Sequence, residues 1–286
     1  MSVKNRLRWL WHQVVPAHTD VLVLPYCGSQ HLQTRIVMHP GEFFTRPKHH
    51  LVYQWLKKPI DLPVRIRTTT GAARPLESRL RLVPGTPMVL DCRSMLKARQ
   101  LADDADYVFE VPVEFNQPLP QIELQMKEFE SRVWGGFIIH WITSKIPDIG
   151  FVMLSPKFRL SEREESRALL VYSSTDPAMP PRNAIRYLLC DEVGRVVVNG
   201  EGVVEKGSFV VLPTREELQH LQGHYTMIAR AEQSLASITL NRHLESGVVT
   251  LEHTQPLGKY HRLMAAERRI TDLKAYWYQR LEAMAR

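Results

Sequence analysis

Two histidines four residues apart, His220 and His224, have a spacing that suggests metal chemistry. On a helix it would place both imidazoles on one face. A hydrolytic zinc helix also needs a glutamate directly after the first histidine as general base, and Leu221 stands there instead. Gly223 breaks the helical pattern just before His224. The pair therefore reads first as polar surface. Asp103, Asp104 and Asp106 form the densest carboxylate cluster and could hold Mg²⁺. Three acids in four residues ahead of a strand more often make a solvated loop. A metal-dependent hydrolase using these groups is the last of three functional readings.

Other catalytic patterns are missing. No Gly-x-Ser-x-Gly elbow is present. Gly28-Ser29 lacks the further glycines and the Lys-Ser/Thr ending of a phosphate-cradling loop. Gly200-Glu201-Gly202 opens like a dinucleotide fingerprint but sits in a hairpin, not at a strand-to-helix turn. Cys92 and Cys190 each adjoin an aspartate, which raises a thiol's pKa and discourages nucleophilic use. No catalytic residue and no cofactor are expected.

The basic residues are more suggestive. Arg65, Arg67, Arg79 and Arg81 alternate with apolar residues in two segments and share one sheet face if those segments pair. Arg46 and Lys48, with His49 and His50, make a basic loop. Arg262, Arg269 and Arg280 fall along one flank of a C-terminal helical pattern, with Tyr276 beside them. Arginine forks and an aromatic plate suit phosphate contact and base stacking. The plainer reading of each set is a solvated charged face. The chain has no aromatic RNP-type strand, no zinc-finger spacing and no helix-turn-helix.

The elements that would carry these residues are mostly strands. Asp20–Pro25, Pro63–Thr70, Arg79–Val83, Tyr107–Phe115, Gln121–Phe129, Arg167–Ser173 and Gly247–His253 have strand composition or alternation. Pro112 inside one of them predicts an edge or bulged strand. Arg186–Pro213 reads as a β-meander with reversals at Gly194, Asn199-Gly200 and Gly207. Thr214 with Glu217 forms a capping box that starts a helix running to about Gln222. Ser2–Val15 and Gly258–Arg286 carry apolar stripes at helical spacing, the first with Val3, Leu7, Leu10 and Val14. The expected class is α+β: mostly antiparallel β-sheets with an N-terminal amphipathic helix and a long C-terminal helix. Composition marks no domain boundary; one is drawn near Phe129, where a proline-flanked strand gives way to the Gly135-Gly136 segment. It separates an N-terminal helix plus β-rich region (1–128) from a β-meander region with C-terminal helices (129–286), a single domain being the alternative.

Composition sets the outer limits. Hydrophobic residues make up 44% of the chain and charged ones 23%, values that exclude a disordered polymer. Three scattered cysteines argue against a disulfide framework and for a reducing, cytoplasmic setting. Lys4, Arg6, Arg8 and His12 interrupt the N-terminal apolar residues, so no secretory signal or transmembrane segment is expected. The net charge of +7 favours acidic partners. The leading expectation is a non-enzymatic nucleic-acid-binding subunit of a larger assembly, for DNA or RNA alike. Its terminal amphipathic helices would dock protein partners. An adaptor that binds proteins or a membrane surface comes second.

Overall fold

The computed structural model describes residues 20–45, 52–54, 58–70, 75–113, 119–138, 151–173, 179–233, 235–253 and, near the C terminus, 276, 279, 280, 282 and 283. The helix expected over Ser2–Val15 lies outside them. Three antiparallel sheets make up the structure. The first runs β1 (Asp20–Cys27), β7 (Asp106–Val113), β4 (Ile60–Thr68), β5 (Leu76–Leu82). The second runs β3 (Val52–Gln54), β2 (Leu32–Thr45), β8 (Leu119–Glu128), β9 (Gly135–Ile138), with β6 (Met88–Asp91) also on β2. The third runs β13 (Val196–Glu205), β12 (Arg182–Cys190), β15 (Gly223–Ala231), β10 (Phe151–Leu160), β11 (Glu164–Tyr172), β16 (Ala236–His243), β17 (Val248–His253), with β14 (Ser208–Leu212) on β11.

The expected α+β class is overturned. Strand accounts for 63% and helix for 10%, and the two helices are short: α1 (Cys92–Ala98) and α2 (Arg215–Leu218). No long C-terminal helix is present among the described residues, although Tyr276, Gln279, Arg280, Glu282 and Ala283 are helical. The physical reason lies in what covers the sheets. One buried cluster combines Leu24, Ile36, Val64, Phe109 and Leu124 from the first two sheets with Leu169, Val171, Ile238 and Leu251 from the third. Sheet therefore covers sheet, and among the described residues helices contribute little beyond Cys92, Leu96 and Leu218.

A second cluster lies on the other side of the third sheet, with Met153, Phe158, Leu170, Tyr172, Ile185, Tyr187, Leu189 and Met227. Strand β11 serves both clusters. Leu169 and Val171 face the first, and Ala168, Leu170 and Tyr172 the second. This explains why its sequence, ALLVY, is continuously apolar and does not alternate. After β13 the chain turns at Lys206-Gly207, where Gly207 has φ +72°. Strand β14 then pairs with β11 and not with β13. The strands β13-β12-β15-β10-β11-β14 thus wrap around the second cluster like a small barrel.

Several local expectations are met and others corrected. Gly194, at φ +83°, and Gly207 reverse the chain as their spacing suggests. Asn199-Gly200 does not: β13 runs straight through, with Gly200 directly opposite Tyr187. Pro112 lies in a strand paired on both sides, since β7 joins β1 and β4. The β4 pairing covers only Tyr107–Glu110, so the proline falls beyond the stretch where its missing N–H would be needed.

The capping box closes the barrel end. Thr214 Oγ1 accepts from the Glu217 N–H, and the Glu217 carboxylate accepts from the Thr214 N–H. Tyr187 reaches across from β12 and donates its hydroxyl to the same carboxylate. Burial pushes the Glu217 carboxyl up, but these hydrogen bonds outweigh it and leave it below the usual carboxylate range. A depressed acid stabilises the fold above its unfolded-state pKa, and that contribution disappears as pH falls through the folded-state value. Glu217→Gln is therefore expected to lower the melting temperature most at neutral pH, with the gap narrowing in acid. A gap independent of pH would show that the charge is irrelevant there.

Candidate functional site

The sites expected from sequence are only partly assembled. Strands β4 and β5 pair as anticipated, and Arg65, Arg67, Arg79 and Arg81 share one face. That face also holds acids. Asp61 stands opposite Arg81, Glu77 opposite Arg65, and Glu110 on β7 beside both Arg65 and Arg67. Arg67 is nearly buried, lies 2.6 Å from Glu110, and donates to the Gly207 carbonyl at the barrel turn. It is a joint between sheets. Arg65 sits 3.5 Å from Glu77. Arg46, Lys48, Arg262 and Arg269 lie outside the described residues. Tyr276 and Arg280 are helical and exposed.

The metal reading fails on geometry. Helix α2 ends at Leu218, so His220 sits in the following turn and His224 on β15; the two never share a helix face. Asp103 pairs with Arg93 at 2.5 Å and Lys97 at 3.3 Å, and Asp106 accepts from the Ser29 hydroxyl at 2.8 Å. Among the described residues, no three His, Cys, Asp or Glu side chains converge as a metal site. Burial is the main cause that raises the thiols of Cys92 and Cys190, with Asp91 and Asp191 adding to it.

The structure assembles a different site, which no linear motif announces. Strands β10 and β11 pair at Leu160 and Glu165 and then diverge, β10 following β15. The β10 ladder slips between Ser155 and Phe158, around Pro156. A cavity of about 470 Å³ opens between β10 and the face of β11, β16 and β17. Register places Glu164, His243 and Val248 in one cross-strand row, and Ser166, Asn241 and Thr250 in the next. The Ser155 hydroxyl meets Thr239 Oγ1 at 3.0 Å and ties β10 to β16.

Internal hydrogen bonds hold the cavity floor. Ser166 accepts from the Arg159 N–H at 2.9 Å and donates to Asn241 Oδ1 at 2.6 Å. Lys157 and Arg159 project from β10 and stand 3.5 Å from Glu252 and Glu164 respectively. The Ser246 hydroxyl lies 3.0 Å from His243 Nδ1 and also accepts from the Val248 N–H, so this pair organises a turn. Arg242, at the cavity's edge, is held by Glu128 at 2.5 Å and Glu165 at 3.6 Å. In sequence, the signal is the polar alternation Thr239, Asn241, His243 answered by Thr250 and Glu252. It marks a wet sheet face but not the strand that roofs it.

Charge is unevenly distributed along the chain. Residues 1–19 contain Lys4, Arg6 and Arg8 and no acid; residues 46–57 contain Arg46, Lys48 and Lys57 and no acid. Residues 254–275 add five basic residues against Glu267 and Asp272. These three stretches hold a surplus of nine positive charges, two more than the chain's +7, so the remainder is net −2. Among the described residues, no helix is long and apolar enough to cross a membrane. No protein-family model, curated protein or solved structure matches the chain.

Proposed function

We propose that the chain is a non-enzymatic nucleic-acid-binding subunit whose phosphate contacts come from residues 1–19, 46–57 and 254–275, with the remaining sheet strands as scaffold. The distribution of charge supports this reading. Arg65, Arg67 and Arg81 face carboxylates, whereas the whole positive surplus lies in residues 1–19, 46–57 and 254–275. Arg46, Lys48, Arg262 and Arg269 belong to those stretches and remain candidate contacts, with Tyr276 and Arg280 just beyond the last one. Arg65, Arg67, Arg79 and Arg81 become poorer candidates, because a phosphate there would compete with Asp61, Glu77 and Glu110. Protein partners at the terminal segments belong to the same proposal.

The test is titration with single-stranded and duplex oligonucleotides at low and near-physiological salt. Affinity is expected to fall at least roughly tenfold between about 50 and 200 mM salt, the signature of counterion release. Neutralising Arg262 and Arg269 together to glutamine is expected to weaken binding several-fold, by roughly 1 kcal/mol. Neutralising Arg79 and Arg81 is expected to leave it unchanged. Salt-independent affinity, or equal losses in both variants, would overturn this assignment. No binding under either condition would turn the reading towards the adaptor role.

A further inference from the structure

The cavity between β10 and the β11–β16–β17 face has a polarity that the nucleic-acid reading does not use. Its positive groups, Lys157 and Arg159, both come from β10. Its negative groups, Glu164 and Glu252, both come from the β11–β16–β17 part of the same sheet, on β11 and β17. Between them lies the uncharged row of Ser166, Asn241 and Thr250. The positive charge of Arg242 is met by Glu128 and Glu165, so the two walls balance.

We propose that this cleft binds a small zwitterion of the amino-acid class, its carboxylate held by one wall cation, Lys157 or Arg159, and its ammonium by that cation's own partner, Glu252 or Glu164. Each wall cation already stands near a carboxylate of the opposite wall, but at 3.5 Å the contacts are longer than charge-assisted hydrogen bonds. All four side chains are substantially exposed, from 41% to 65%. Exposed pairs of this kind are weak and can exchange partners. A zwitterion replaces both halves of such a pair with shorter bonds and leaves no charge unmatched. A simple anion on either cation would leave that cation's carboxylate partner facing it. Val248 alone is an apolar residue among the described residues lining the cleft, so every other lining side chain carries a polar group that a ligand must satisfy or leave wet. The 470 Å³ volume lies within the range of small-molecule sites, roughly 300–1,000 Å³. The Ser166–Asn241 bond fixes a polar floor that can receive a hydrogen-bonding side chain.

The experiment is calorimetric titration of the full chain with each of the twenty common amino acids, alongside glucose and inorganic phosphate. At least one amino acid is expected to bind saturably at one site. Its N-acetyl and carboxamide derivatives, each lacking one charge, are expected to bind at least roughly tenfold more weakly. The double variants Lys157→Gln/Arg159→Gln and Glu164→Gln/Glu252→Gln are expected to lose a similar factor while keeping the wild-type melting temperature. Failure of every amino acid to saturate would overturn the proposal. So would derivatives or variants that bind as tightly as their parents, or glucose or phosphate competing at equal affinity. None of these residues belongs to the proposed nucleic-acid contacts, so either reading can fail alone.

Discussion

Replacing Gly200 by valine is expected to destabilise the protein by roughly 3 kcal/mol or more, lowering its melting temperature by about 10 °C. Gly200 is buried on β13, directly across from Tyr187 on β12. A Cβ there would stand 2.3 Å from Tyr187 Cζ, and the ring is fully buried among the barrel side chains. The ring cannot retreat without opening the second cluster or abandoning its hydrogen bond to Glu217. Gly200→Ala is expected to show the same effect in smaller measure, and Tyr187→Leu to relieve part of it in the double variant. The neighbouring Asn199 is exposed, and Asn199→Val is expected to be nearly neutral. Thermal unfolding of these variants decides the matter. If Asn199→Val were as harmful as Gly200→Val, the dipeptide would be acting as a turn after all.

The second large effect is expected at Arg242. This guanidinium is 8% exposed and joins the second sheet to the third, with Glu128 on β8 and Glu165 on β11 as its partners. Arg242→Met would preserve the aliphatic bulk and leave the largely buried Glu128 without its cation, while Glu165 keeps Arg167 at 3.9 Å. Losing one side of a buried ion pair typically costs about 3–5 kcal/mol, more than the intact pair contributes, because the remaining charge stays desolvated. Chemical denaturation of the variant should read a loss of that order. Adding Glu128→Gln should recover a substantial part, since the stranded charge is then gone. No recovery would mean that the arginine acts through packing alone.

The amino-acid pattern foretells some of this architecture and conceals the rest, for definable reasons. Alternation in PVRIRTTT and RLRL gives both the pairing of β4 with β5 and the shared face of their arginines, because side-chain period and register are local properties. It does not give Asp61, Glu77 and Glu110 as neighbours of those arginines, since one of the three comes from a strand about 40 residues away. The Thr214 box is legible because capping is decided within four residues. The helix beyond it stops early at Leu218, and Gly223, at φ +133°, begins β15. Asn199-Gly200 misleads for the opposite reason: a strong short-range turn signal yields to a long-range need for a thin place over Tyr187. The cleft is the least legible feature, because its walls come from β10 and β17, on opposite sides of the barrel strands in sequence.

Strand β11 has a consequence for cooperativity. One of its faces is interior to the core shared with the first two sheets, the other to the barrel, and its edges are taken by β16 and β14. Removing it would expose two cores at once, so neither half of the described structure can melt while the other keeps its interior. The amide protons of Leu169–Val171 should accordingly exchange with solvent only through global opening, at a rate set by the stability of the whole and not by any local fluctuation.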